Sequence, residues 1–214
     1  MATYIHKKSL VVFTQNERSG LKSDNDEIIV PAEYDEIIAG SQSFIGIQCC
    51  HDDSDDWYLK TKAISFDLEG RQVKCISDIM RSRGYDDFRD VYHIAKDVYG
   101  FTHTNNDGDE VLGLFGSRGE MLLKPRYDEL HIIDDVAILG YYSPRCHEFE
   151  YDWEYDDSYT LLSIGGKILW PETISGHYYD DEDKLIFVTT SGIELIINET
   201  GRATRYTPPA SIEK

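Results

Sequence analysis

The 214-residue chain reads as a mostly β protein, an array of about five β-hairpin or meander repeats with one short helical insertion near 76–83. Three observations predict this. Gly20 to Ile37 (GLKSDNDEIIVPAEYDEI) and Gly113 to Leu130 (GLFGSRGEMLLKPRYDEL) align without a gap and share Gly, Leu, Glu, Tyr, Asp and Glu. Polar turn residues part the apolar runs, as in a hairpin. The segments between hairpins are rich in β-branched and aromatic residues, which suit a pleated surface.

In order along the chain, each matched copy is a short strand, a tight polar turn, an apolar run (EIIV or EMLL), a proline and Tyr-Asp, with Gly119 suited to positive φ. SFIGIQ (43–48) is a further strand, and AISFDLEGRQVKCI (63–76) is a hairpin turning at Glu69-Gly70. ISDIMRSR (76–83) is the helical insertion, after which Tyr85-Asp86-Asp87-Phe88 restores the Tyr-Asp element. VAILGYY (136–142) and KLIFVTT (184–190) read as strands. LLSIGGKILWP (161–171) repeats the hairpin and its proline without Tyr-Asp, and ELIINETGRATRY (194–206) adds a last strand, turn and strand. Turns near Asn25, Gly70, Arg118, Gly165 and Thr200 recur at roughly 35 to 50 residues, a spacing found in repeat architectures. Such units bury their apolar faces only by stacking, so residues 1–214 are expected to form one domain. Closure into a propeller-like ring and an open solenoid both remain compatible with this reading.

Forty acidic side chains against twenty-one basic ones leave a net charge of −19. That field repels phosphate backbones and disfavours direct nucleic-acid binding, while it attracts cations or a basic protein surface. No apolar stretch approaches the ~20 residues of a membrane span. The start MATYIHKKSLVVF has too short an apolar run for a signal peptide. Cys49, Cys50, Cys75 and Cys146 lack framework spacing, which fits reduced thiols in a cytoplasm.

Gly113-Leu114-Phe115, Gly119-Glu120, Leu122-Leu123, Pro125 and Tyr127-Asp128 together resemble the WG-repeat (KWG-type) β-hairpin module of bacterial proteins. Gly20-Leu21, Ile28-Ile29-Val30-Pro31 and Tyr34-Asp35 carry a second copy. The Trp-Gly dipeptide of the family is absent, since Ser19 and Leu112 precede the two glycines. The resemblance implies an all-β repeat array used for interaction and implies no enzyme activity.

Tyr34-Asp35-Glu36, Tyr85-Asp86-Asp87 and Tyr127-Asp128-Glu129 could be acid–base pairs. Because they recur with the hairpin, they read instead as architecture, with a buried tyrosine and an aspartate bonded to local backbone N–H groups. From Glu148 to Tyr155 acid and aromatic residues alternate. In a strand, Phe149, Tyr151, Trp153 and Tyr155 share one face and Glu148, Glu150, Asp152 and Glu154 the other. With Asp156 and Asp157 this stretch is the expected partner-binding surface, its target an Arg/Lys-rich protein. HDDSDDW (51–57) and YYDDED (178–183) are solvated loops, weak calcium sites or extensions of the same surface. NNDGDE (105–110) lacks the ordered twelve-residue calcium loop and reads as a turn. Cys49-Cys50-His51 and Cys146-His147 lack the paired spacing of a zinc site.

No phosphate loop or nucleophile elbow is present, and the seven histidines fall in no catalytic motif. The expectation is a non-catalytic, cofactor-free bacterial interaction protein, an immunity protein that neutralises a basic toxin. A general WG-repeat scaffold or sensory module is the alternative, and a hydrolase using clustered carboxylates a third.

Overall fold

A computed structural model describes residues 9–50, 60–142 and 159–207. The chain is mostly β, as expected. Within each sheet the strands follow one another in chain order, so every sheet is a meander. The first holds β1 (Leu10–Gln15), β2 (Arg18–Ser23) and β3 (Ile28–Tyr34). The second holds β4 (Glu36–Ala39), β5 (Phe44–Cys50), β6 (Lys60–Phe66) and β7 (Gln72–Cys75). Helix α1 (Ile76–Arg81) follows, at the expected insertion. The third sheet holds β8 (Arg89–Ala95), β9 (Val98–Thr104), β10 (Glu110–Gly116) and β11 (Met121–Tyr127). The fourth runs through seven strands: β12 (Glu129–Ile133), β13 (Ala137–Tyr141), β14 (Tyr159–Ser163), β15 (Ile174–Tyr179), β16 (Leu185–Thr189), β17 (Glu194–Ile197) and β18 (Ala203–Arg205).

One turn design accounts for eight of the reversals among the described residues. Its first residue donates its N–H to the carbonyl four residues on, and the fourth residue donates back to the first, as at Asp67, Gly70 and Arg71 (3.0 Å each). The fourth position is left-handed each time: Asp26, Gly70, Gly108, Gly119, Gly166, Asp183, Gly192 and Gly201, with φ between 58° and 87°. That conformation admits glycine, or aspartate at a small cost, and forms the bulge that closes a three-residue hairpin loop. In seven of the eight the first position carries a short side-chain acceptor; the exception is Gly116, in whose turn Glu120 Oε2 accepts the Arg118 N–H (3.0 Å). Asp67 Oδ1 and Asn105 Oδ1 each accept the N–H four residues on at 2.9 Å, and Asn198 Oδ1 does so at 3.1 Å. This is the local chemistry that favours Ser, Thr, Asn and Asp in turns. NNDGDE is one of these turns, as its sequence suggested.

The three Tyr-Asp elements all lie where the chain leaves one sheet and enters the next. Asp35 separates β3 from β4, Tyr85 to Asp87 lie between α1 and β8, and Asp128 separates β11 from β12. The Asp35 N–H donates to the carbonyl of Ile47 (2.8 Å), and the Asp128 N–H donates to that of Tyr141 (2.9 Å). Each preceding tyrosine lies over a glycine. A Cβ on Gly46 would stand 2.6 Å from Tyr34 Cδ1, and one on Gly140 2.7 Å from Tyr127 Cε1. The matched Gly20 and Gly113 pair across the sheet with Phe13 and Phe101, whose rings leave the same lack of room.

The expected local aspartate bond is corrected by the fold. Asp35 Oδ2 accepts the N–H of Cys49, fourteen residues away on the second strand of the next hairpin (2.7 Å), and Oδ1 pairs with Arg18 (2.6 Å). In the middle copy Asp87, and not the exposed Asp86, takes this place, accepting the N–H of Thr104 (2.6 Å).

By contacts the chain divides into two compact units, Met1–Pro125 and Arg126–Lys214. In the first, the second sheet is buried on both faces, which the period-two alternation of β5 makes possible. Phe44, Ile64 and Phe66 pack with Leu21, Val30, Tyr34 and Ile37. Ile45, Ile47 and Ala63 face the other way, into a layer with Ile76, Met80, Phe88, Tyr99, Phe101 and Phe115. Each large apolar side chain so buried contributes about 1.5–3 kcal/mol. The Tyr99 hydroxyl reaches Ser43 Oγ (3.1 Å). Burial, opposed by the Ser43 hydrogen bond and assisted by Asp97, pushes that phenol up to about 12.

The second unit has a core of Ala137, Leu139, Leu161, Ile174, Phe187 and Leu195. Its sheet is thinnest at β14–β15, which share a single register pair, Tyr159 with Ile174. The expected hairpin over 161–171 therefore keeps its turn but loses its second strand, reduced to one bridge between Leu162 and Ile168. Pro171 has no N–H to extend that strand.

Candidate functional site

The expected partner surface, Glu148, Glu150, Tyr151, Asp152, Trp153, Glu154, Tyr155, Asp156 and Asp157, lies outside the described residues, as does HDDSDDW. Its flanking strands β13 and β14 are described. Tyr141 and Tyr159 bring their rings within 5.6 Å, and His131 stands edge-on to Tyr159 at 5.8 Å. Arg126 donates to the Tyr127 hydroxyl (2.6 Å) and holds its guanidinium 4.8 Å above the Tyr127 ring. The described ends of β13 and β14 thus carry an aromatic pair.

The other acidic knot of the second unit, YYDDED, is built around the turn from Asp180 to Lys184. Asp180 Oδ1 accepts the N–H groups of Glu182 and Lys184 (2.9 Å each). Asp180 Oδ2 accepts the Tyr206 hydroxyl (2.5 Å). That hydrogen bond, from Tyr206 first and from the Lys184 N–H next, holds the Asp180 carboxyl below its usual range. The reciprocal effect raises the Tyr206 phenol to about 12. Tyr178 donates to Glu194 (2.7 Å) and Tyr179 to Asp134 (2.5 Å), and each bond raises the phenol involved. Lys184 pairs with Glu182.

These contacts bring the Asp180–Lys184 turn beside the Asp134–Asp135 turn, forty-five residues earlier in sequence. Between them lies a cleft of about 300 Å³. Val136, Leu185, Phe187 and Ile197 supply its apolar lining, and Asp134 and Asp183 its acidic rim. Val136 (44% exposed) and Tyr179 (49%) are apolar groups left open at its edge. Residues 126–214 hold 18 acidic and 7 basic side chains, against 22 and 14 in the longer residues 1–125, so the acidic excess is denser here. The sequence named the YYDDED half of this site. The Asp134-Asp135 half carried only a turn-like acidic pair, and nothing local linked the two.

The arrangement most like catalytic machinery lies in the first unit. His103 Nδ1 shares a hydrogen bond with Asp87 Oδ1, Tyr85 stands edge-on to the imidazole at 5.0 Å, and Arg89 bonds Glu110 (2.7 Å) and Thr104 Oγ1 (3.2 Å). Burial pushes the Asp87 carboxyl up, but the bonds from Thr104 and the adjacent His103 outweigh it and hold the group below its usual range. Asp87 occupies the same crossover position as Asp35, so its carboxylate fastens a strand in both hairpins. No group of three or more His, Cys, Asp or Glu side chains is placed to hold a metal among the described residues. No helix of the described residues is long and apolar enough to cross a membrane.

Comparison with protein-family models, with curated proteins and with solved structures finds no match.

Proposed function

We propose that this chain is a non-catalytic bacterial interaction protein whose acidic β surface binds a basic protein, in the role of an immunity protein that neutralises a cationic toxin in the cytoplasm. The observation that carries this reading is the concentration of negative charge in the sequence of residues 126–214, together with a cleft that has Asp134, Asp183 and exposed apolar groups in its lining. Charge complementarity speeds encounter, and desolvated aromatic and apolar anchors supply lasting affinity. The stretch from Glu148 to Asp157, alternating as far as Tyr155, belongs to the same interface in this proposal. Membranes, cofactors and direct nucleic-acid contact play no part in it.

Architecture enters the proposal as well. The whole chain, 1–214, is read as one divergent WG-type array of hairpin repeats. Support comes from the recurring five-residue turn and from the Tyr-over-Gly contacts at Tyr34 and Tyr127. Those recurrences favour, as the second reading, a general repeat scaffold with another class of partner.

The test is affinity capture from the native host followed by mass spectrometry and measurement of the binding constant at two salt concentrations. A basic partner whose toxicity is relieved by this protein is the expected result, and recovery of acidic or neutral partners alone refutes it. Reversing the charges of Glu150, Asp152 and Glu154 together is expected to slow association about tenfold or more and to flatten its salt dependence. Unchanged binding in that triple variant removes 148–157 from the interface.

A further inference from the structure

We propose that the cleft between the Asp134–Asp135 turn and the Asp180–Lys184 turn receives a single long cationic side chain, lysine or arginine, projecting from the basic partner. This rests on the reading above and adds where and how the partner is anchored. The lining is split by chemistry. Val136, Leu185 and Ile197 form an apolar wall over the fully buried Phe187, and the exposed Asp134 and Asp183 stand at its rim. A small inorganic cation would leave the apolar walls unused, and a purely apolar side chain would gain nothing from the two exposed carboxylates. A lysine or arginine has a three- or four-carbon stem that covers apolar surface and a charged head that stays at the acidic mouth.

The rim has acceptors to spare. The Tyr179 hydroxyl occupies only Oδ2 of Asp134, and the Asp183 carboxylate has no hydrogen-bond partner among the described residues. Lys184 also lines the cleft, but its ammonium is paired with Glu182 and leaves the two rim aspartates uncompensated. The exposed Tyr179 ring adds a face on which a guanidinium or ammonium can rest.

The experiment is a methyl NMR titration of the full-length protein with three peptides: Ac-Gly-Arg-Gly-NH2, Ac-Gly-Lys-Gly-NH2 and an analogue whose central residue is diaminopropionic acid, which carries the charge on one carbon. The expected result is shifts at the Val136, Leu185 and Ile197 methyls with the arginine or lysine peptide, and at least threefold weaker binding of the short analogue. The stronger of the two long-chain peptides identifies the head group. Asp183→Asn and Asp134→Asn are each expected to weaken binding about two- to fivefold, a modest loss suited to exposed charges. Both positions have positive φ, which asparagine tolerates, so the variants should keep the fold. Equal binding of all three peptides, or shifts only at methyls away from the cleft, overturns the proposal. The two readings fail separately. A native basic partner that binds the Asp134→Asn/Asp183→Asn double variant unchanged overturns the anchor alone. A cleft response in a protein that captures no basic partner overturns the immunity reading alone.

Discussion

Residues 1–125 change sheet twice, after β3 and after β7, whereas residues 129–205 stay in one sheet through seven strands. Both regions use the same five-residue turn, four times in each. The turn therefore reverses the chain without deciding which sheet the next strand joins. What differs is where the Tyr-Asp element stands. The three between sheets each precede a change of sheet, whereas after Asp128 the dipeptide recurs at Tyr179-Asp180, where Asp180 opens a five-residue turn and the sheet continues. The mechanism is visible at Tyr34-Asp35. Tyr34 ends the pairing with β2, its ring fills the space over Gly46, and the Asp35 N–H opens the pairing with β5. Where Tyr-Asp is missing after Pro171, the sheet continues, held to β14 by one pair.

The comparison can be broken at the tyrosine. Tyr34→Ala removes a buried ring packed edge-on against Phe66 at 5.5 Å, and is expected to cost about 3–5 kcal/mol by denaturant titration. Tyr178→Ala, on an exposed ring of the second unit, should stay within about 0.5 kcal/mol. Equal losses would mean that Tyr34 does not organise its crossover.

Next in size is the glycine contrast. Gly46→Ala drives a Cβ into the Tyr34 ring and should cost about 1–3 kcal/mol. Gly176→Ala meets nothing within 4 Å and should be neutral, or stabilising by about 0.5 kcal/mol through the unfolded chain. Thermal melts of the two variants check the pair.

The aspartate latch comes third. Asp87→Ala leaves the Thr104 N–H without its acceptor and is expected to cost about 1–3 kcal/mol. Asp87→Asn keeps an acceptor and loses the charge, so it isolates the pH effect. Because the folded-state carboxyl is depressed below its ordinary value of 3.8, its contribution is complete above that value and disappears as pH falls through the folded one. The stability gap between wild type and Asp87→Asn, measured between pH 6 and pH 2, should therefore close in acid. A gap that widens there would refute the assignment.

Smallest of all, Asp183→Asn should change stability by no more than about 0.5 kcal/mol while weakening arginine-peptide binding, since its carboxylate supports no fold contact among the described residues. A folding defect would instead make Asp183 part of the turn's architecture.

Local chemistry made much of this fold legible. β-branched and aromatic content placed β5, β13 and β16, and polar residues between apolar runs marked turns, because both depend on residues within a few positions of one another. The repeat in KPRYDEL and PAEYDEI identified Tyr127 and Tyr34 as buried architectural residues. It did not reveal that Asp35 fastens the strand at Cys49 fourteen residues away, nor that Asp87, in place of Asp86, fastens the strand at Thr104 in the middle copy. Those bonds depend on which strand lies alongside. The same holds for the candidate site. Sequence alone determined that the chain is β-rich, strongly acidic and built on a recurring hairpin, since composition and short-range periodicity are properties of neighbours. Only the tertiary structure decided that Asp134 and Asp183 share one apolar cleft, because two turns forty-five residues apart meet through sheet pairing and the Tyr179–Asp134 bond.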